Sequence, residues 1–265
     1  MTIVLAVLTA VLLAATLALG MKALRHRATR KQRGLFGEWP IRRVSPGAID
    51  PALQPGPFGP TLDAEVAFVG RGPYVVDGGT SDAEAWILAV LAKRAHRMFE
   101  FGTCTGKTAY LWARNSPPDA RIVTVTLAPD HVSDYSREAG DDETDVRFAL
   151  RESSHTEFLY SGTSVAPKVE QLFADSKALD VLPWAGTFDL VFVDGSHAYS
   201  YVVSDSEKAL TLIAPGGLVL WHDYAGPRHA AGVFRALNEL ARRLPLVRIE
   251  GTTLVAYRRP AAERA

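Results

Sequence analysis

Cysteine is nearly missing from this chain. Cys104 stands alone among 265 residues, so an internal disulfide is excluded and a reducing compartment fits. Neither sign of charge is in excess, with 29 basic and 29 acidic residues, so no global field recruits nucleic acid. No internal repeat is visible. What is present is ordinary: 22% charged and 48% apolar residues suit a globular chain with a buried core, and the length suits one sizeable domain or two small ones.

The N-terminus lacks charge altogether. Thr2 to Gly20 is almost wholly apolar, and its 19 residues match a hydrocarbon core of roughly 30 Å. A basic stretch comes next, with Lys22, Arg25, Arg27, Arg30, Lys31 and Arg33. A cleavable signal peptide carries its positive charge before the apolar run, although Ala18-Leu19-Gly20 resembles a cleavage site. A helix packed on a domain would show a polar stripe, and none is seen. The pattern predicts a single-span transmembrane helix over residues 1–21, with the basic flank and everything after it in the cytoplasm. Residues 22–60 read as that flank and an irregular tether punctuated by Pro40, Pro46, Pro51, Pro55, Pro57 and Pro60, in which Trp39 and Ile41 are free to dock. Residues 61–265 read as the main folded domain.

From Thr80 onward helix and strand signals alternate. Ser81 and Glu84 form a capping box opening a helix that ends among Lys93, Arg94, His96 and Arg97. Met98–Phe101, Arg121–Thr126, Val169–Ala174, Phe188–Val193 and Leu218–Trp221 read as strands. Lys107–Asn115, Tyr199–Ile213 and Ala230–Leu244 read as helices, and Val247–Glu250 with Thr253–Tyr257 as a closing hairpin. Such alternation predicts a Rossmann-like, doubly wound, mostly parallel seven-stranded α/β sheet with a C-terminal antiparallel hairpin. Ligands of such sheets bind outside the carboxyl ends of the strands, where strand order switches.

The first of these ends, FEFGTCTGKT over Phe99–Thr108, invites a phosphate-loop reading through Gly102 and Gly106-Lys107-Thr108. That loop has four residues between its glycines, and here there are three. Glu100 would also repel a phosphate. Carboxylates recur at later strand ends, at Asp175, Asp194 and Asp223, and favour a cationic ligand or a metal.

The segments Glu100-Phe-Gly102-Xaa-Xaa-Xaa-Gly106, VTVTLAPD, LFADS, FDLVFVDGSHAY and APGGLVLWHDY resemble, in this order, class I S-adenosylmethionine-dependent methyltransferases. DGSHAY and WHDY are similar to the small-molecule O-methyltransferase branch. The resemblance spans about Thr80 to Tyr257. It implies S-adenosyl-L-methionine as cofactor, held by Glu100, Gly102, Thr103, Gly106, Thr126, Asp175 and Asp194. Gly102 and Gly106 would admit the methionine and ribose part, Glu100 would hold the amino end or organise the loop, and Asp175 would lie beside the adenine amine. Thr126 departs from the family, which carries there an acid for both ribose hydroxyls; Asp130 is the available substitute.

The same resemblance implies a site for Mg²⁺ or Mn²⁺ at Asp194, His222 and Asp223. The histidine suits Mn²⁺ or a later metal better than Mg²⁺. The bland alternative has Asp194 capping the next helix and His222-Asp223 bonding loop backbone. Without metal, His197 or His222 is the natural general base. Catalysis is thus expected from His197, Asp194 and His222. Cys104 reads as a small packing residue. The acidic run Asp141-Asp142-Glu143 with Asp145, inside the long segment 127–168, reads as a solvated loop, with a lid as the lesser reading. Tyr199 and Tyr201 are as consistent with packing as with acceptor contact, and His131, His155 and His229 have no ligand spacing.

The expected acceptor is a small molecule or a lipid-linked one, methylated on a hydroxyl, with no nucleic-acid partner. Two rivals remain: a membrane-tethered, non-catalytic methyltransferase-like binding module, motivated by Thr126, and a phosphate-loop nucleotide hydrolase dependent on Lys107. The acceptor's identity and the oligomeric state are not legible in the sequence.

Overall fold

The computed structural model describes residue 9 and residues 12–22, 39–56, 59–60 and 79–262. Residues 12–22 are helical, with Leu12, Leu13, Leu17, Leu19 and Met21 exposed. Among the described residues no helix is long and apolar enough to cross a membrane. The expected transmembrane helix lies partly outside those residues, as does nearly all of its basic flank. The chain divides into two compact units, Met1–Pro40 and Ile41–Ala265.

The second unit is built on a sheet of eight strands where seven were expected. They are β1 (Arg42–Val44), β2 (Arg97–Phe101), β3 (Arg121–Thr126), β4 (Val169–Phe173), β5 (Phe188–Val193), β6 (Ile213–Trp221), β7 (Val247–Ile249) and β8 (Val255–Arg258). Their order is β1-β7-β8-β6-β5-β2-β3-β4. β8 runs antiparallel to β6 and β7, and the other pairs are parallel. The chain leaves β2 towards β3 on one side and continues from β5 to β6 on the other. The switch in strand order therefore lies between β2 and β5, where a crevice opens at the carboxyl ends.

The extra strand comes from the stretch read as tether. β1 pairs with β7 in the register Arg42↔Val247 to Val44↔Ile249. Ile41, Val44, Ile49 and Leu53, spaced between the prolines, are all buried. Pro46 and Pro51 open short 3₁₀ turns, a position where the missing N–H costs nothing, and Asp50 caps the second by accepting from Ala52 N at 2.9 Å. Residues 41–53 of the proline-rich segment fold with the domain.

Among the described residues of this unit there are five α-helices: α1 (Asp82–Ala92), α2 (Lys107–Asn115), α3 (Glu143–Glu152), α4 (Tyr199–Leu212) and α5 (Ala231–Leu240). The Ser81–Glu84 capping box is formed in both directions. Strand alternation splits the apolar residues between two faces. On one, Met98, Ile122, Leu190, Phe192 and Leu220 pack with Leu88 of α1 and Trp112 of α2. On the other, Phe99 meets Phe101 and Phe188 at centroid distances of 4.7 and 5.3 Å, and Trp221 Nε1 donates to Ser206 Oγ of α4 at 2.9 Å. Helices thus lie on both faces, as the alternating pattern predicts.

Leu53 is fully buried and joins the α1–α2 core. Leu53→Ala is expected to lower unfolding stability by about 2–5 kcal/mol in a denaturant titration. A change within the noise of such a titration would return this segment to the status of a tether.

Candidate active site at the carboxyl ends of the strands

The loop after β2 is shaped by backbone proximity. Gly102 has φ +97°, and a Cβ there would stand 2.1 Å from the Asp194 carbonyl oxygen, so the first motif glycine lets the β2 and β5 loops touch. Cys104 also has positive φ, at 45°, and burial foremost pushes its thiol up to about 12, which removes it as a nucleophile at neutral pH. Gly106 is the N-cap of α2.

Glu100 does not line the cleft. It stands in a cross-strand row with Thr124 and Gln171 on the α2 face. Thr124 Oγ1 donates to Glu100 Oε2 at 2.6 Å, Thr103 Oγ1 lies 2.8 Å from Thr124 Oγ1, and Gln171 Nε2 donates to Thr103 Oγ1 at 3.2 Å. Gln171 Oε1 accepts from Tyr160 OH at 2.6 Å. This polar chain ties three strands to the motif loop. Burial, above all, pushes the Glu100 carboxyl up to about 8. Of its two expected roles, the geometry supports organising the loop.

The ends of β5 and β6 carry the charge cluster. His222 is buried, and its Nδ1 lies 3.0 Å from both Asp194 Oδ1 and Asp223 Oδ2. Its Nε2 lies 3.4 Å from Glu84 Oε2, without hydrogen-bond geometry. Burial would pull the imidazole down, but the Asp194 charge and the bonds to Asp194 and Asp223 hold it well above its usual value. His222 is therefore an imidazolium. Burial alone would raise Glu84, yet His222, Thr253 and Ser81 hold it at about 2. Asp223 sits far below the usual carboxylate range: burial opposes this, and His197 and His222 overcome it. Asp194 is raised, by burial first.

Asp223, in the left-handed region at φ 57°, also accepts from His197: Oδ2 to Nε2 is 2.9 Å. Phe148 of α3 stacks on the His197 ring at 5.0 Å. The His197 side chain is 16% exposed, and its Nδ1 has no partner among the described residues. His197 is also raised; burial would lower it, and the Asp223 bond and charge prevail.

Beside the cluster lies a cleft of about 530 Å³, lined by residues that include Gly102, Thr126, Asp175, Asp194, Tyr135 and Glu152. The segment between β3 and β4 covers it. Asp141 accepts from Ser200 N at 3.0 Å and Ser200 Oγ at 2.7 Å, and Tyr135 OH meets Ser196 Oγ at 2.8 Å. α3 adds Ala149, Glu152 and Ser153 to the wall. Burial, helped by Asp194, pushes Glu152 up to about 7. The acidic run is thus not a solvated loop throughout: Asp141 is buried and pins a lid.

Asp194, His197, His222 and Asp223 come together as expected, and Gly102, Thr126, Asp175 and Asp194 share the cleft. Glu100, Thr103 and Gly106 act behind the loop. Asp130 is highly exposed beside His131 and does not replace the missing acid at Thr126. Lys107 Nζ donates to Thr80 O at 3.3 Å, facing a backbone carbonyl where a phosphate loop needs its lysine on the ligand. Glu84, Glu152 and Tyr135 join the site without a motif to announce them, and Ser196 lies inside DGSHAY without a role assigned from the sequence; Glu84 hides behind its role as a capping residue.

The Asp194, His222 and Asp223 donor atoms lie within 4.8 Å of one another. One nitrogen and two carboxylates fit a divalent ion, provided the ion displaces the proton on His222 Nδ1.

Residues 99–224 match the family model described as a methyltransferase domain. The match supports the class I methyltransferase reading of the motifs in this segment. No curated protein matches the chain. Among solved structures it is similar to TomG, an O-methyltransferase from Streptomyces achromogenes involved in tomaymycin synthesis and crystallised with S-adenosylmethionine: 24% identity, 71% of this chain, 83% of that one, TM-score 0.44. It is also similar to an O-methyltransferase from Bacillus cereus crystallised with the demethylated cofactor (19%, 68% and 82%, 0.44) and to cofactor-bound Rv0187 from MTB (20%, 83% and 100%, 0.46).

Removing His222 strands three carboxylates. His222→Ala is expected to cost about 3–5 kcal/mol at neutral pH. Because His222 is raised in the folded state, its contribution is complete below the ordinary histidine pKa and fades as pH rises through the raised value. Chemical denaturation of both proteins from pH 6 upward checks this; a loss under about 1 kcal/mol at pH 7 would contradict the buried imidazolium.

Proposed function

We propose that the protein is an S-adenosylmethionine-dependent methyltransferase acting on a hydroxyl of a small acceptor. One observation carries the reading: the cleft at the strand-order switch is walled by motif residues, and its Asp194–Ser196 wall also lines an adjoining hollow that holds the His197–Asp223 pair. Gly102, Thr126, Asp175 and Asp194 would hold the cofactor. When bound, the cofactor supplies an electrophilic methyl group on a sulfonium, so the protein's task is alignment and proton removal.

His197 is the base that the geometry favours. Its Nε2 is tied to Asp223, which leaves Nδ1 as the lone-pair nitrogen of the neutral ring. Phe148 fixes the ring plane. His222, held charged, keeps Asp194 and Asp223 in place. If a divalent ion is used, Asp194, His222 and Asp223 would hold it, and it would lower the pKa of the acceptor hydroxyl. Thr126, which replaces the family's ribose-binding acid, favours a second reading as a binding module without catalysis.

Calorimetry of the full chain with S-adenosylhomocysteine, and separately with ATP and GTP, decides among these. Binding of the first is expected. Binding of a nucleoside triphosphate alone would restore the hydrolase, and the absence of both would leave the binding module. With an acceptor found by screening hydroxylated compounds against methyl-labelled cofactor, kcat/KM should rise with pH through a limb above about pH 6.5. Asp223→Asn should move that limb down. Full activity in excess chelator would remove the metal.

We also infer that the apolar run Thr2–Gly20 and its basic flank attach the enzyme to a membrane, domain inward, which favours an acceptor that is lipid-linked or lipophilic. The full chain should stay with membranes through an alkaline wash, and a chain starting at residue 34 should not. Release of both would refute the anchor.

A further inference from the structure

Asp205 lies on α4, is 1% exposed and lines the cleft alongside Asp175, Ser176 and Gly195. Its Oδ1 has no hydrogen-bond partner among the described residues, while Ser176 engages the carboxyl group. A buried acceptor left unmatched costs roughly 1–3 kcal/mol, and native proteins seldom keep one without use. The neighbouring cation does not meet it: Lys208 Nζ donates to the carbonyls of Ser176, Lys177 and Leu179, the last two at 2.7 and 2.8 Å. Burial pushes the Asp205 carboxyl up to about 7, and a donor reaching Oδ1 would favour the charged, accepting form.

Asp175, which the family resemblance sets beside the adenine amine, is partly spent. Its Oδ1 accepts from Lys177 N at 2.9 Å and turns its own loop. The same wall therefore presents one buried acceptor committed to the protein and one waiting for a donor. A hydroxyl or amine of the ligand would complete Asp205, and the amine is the donor at this end of the cleft in the proposed cofactor reading, on which this inference rests.

We propose that Asp205 Oδ1 accepts from the exocyclic amine of the cofactor's adenine, which makes Asp205 a specificity-determining residue for adenine over its deaminated form. S-inosylhomocysteine replaces that amine with a carbonyl and carries a proton on the neighbouring ring nitrogen N1. Calorimetry on the full chain should find wild type preferring the adenosine form by about tenfold. In Asp205→Leu the preference should fall to within about twofold. In Asp205→Asn, whose amide can donate to the carbonyl, it should fall as far or reverse. Because Asp205→Leu also gives up the Ser176 contact, circular dichroism of the ligand-free variant should confirm a folded chain before its preference is read. Either variant, folded and still showing the wild-type preference, would overturn the proposal. Wild type binding the two ligands equally would overturn it too while leaving the cofactor reading intact, and wild type binding neither would remove both.

Discussion

One buried imidazolium holds this site together. His222 sits between Asp194, Asp223 and Glu84, which come from the ends of β5 and β6 and from the first turn of α1. Each carboxylate alone would be costly in a buried setting. Together with the imidazolium they are paired, and they tie the first turn of α1 to the ends of the neighbouring strands β5 and β6. Glu84 extends the hold further: its Oε1 accepts from Thr253 N and Oγ1 at 2.7 and 2.8 Å, while Oε2 accepts from Ser81 N. Thr253 in turn receives Tyr224 N on its carbonyl oxygen. The cap of α1, the β7–β8 turn and the loop after β6 are thus one polar unit.

That unit sets the chemistry in front of it. With Asp223 pinned by His222, its Oδ2 stands where it orients His197. With Asp194 pinned, its backbone can press against Gly102, and the cleft takes its shape from that contact. On the lid side, Asp141 and Tyr135 latch the covering segment to Ser200 and Ser196, beside the same histidine. Gly232 of α5 completes the packing, since a Cβ there would stand 2.1 Å from the His197 carbonyl oxygen.

Much of this is legible in the residues. β2, β3 and β5 are dense in β-branched and aromatic residues, and periodicity finds such strands. Asp194, His222 and Asp223 stand out because parallel sheets put chemistry at strand ends. β1 escapes such reading because three residues among prolines give no period, and its signal is long-range pairing with β7. Glu84 escapes it because a capping glutamate explains itself locally; its second role depends on Thr253, 169 residues away. The lid misleads because polar composition signals solvent, whereas Asp141 is buried by the helix start at Ser200. Asp205 carries no motif, and only an unmatched oxygen in a cleft wall points to it.

If the crevice between β2 and β5 is the cofactor site, a crystal structure of the full chain grown with S-adenosylhomocysteine will show it most directly. Electron density for the ligand is predicted inside the cleft, its homocysteine end against the Gly102 loop and its adenine against the wall that holds Asp175 and Asp205. A ligand bound elsewhere on the domain, or a cleft closed over by its own side chains with the ligand in excess, would contradict that assignment.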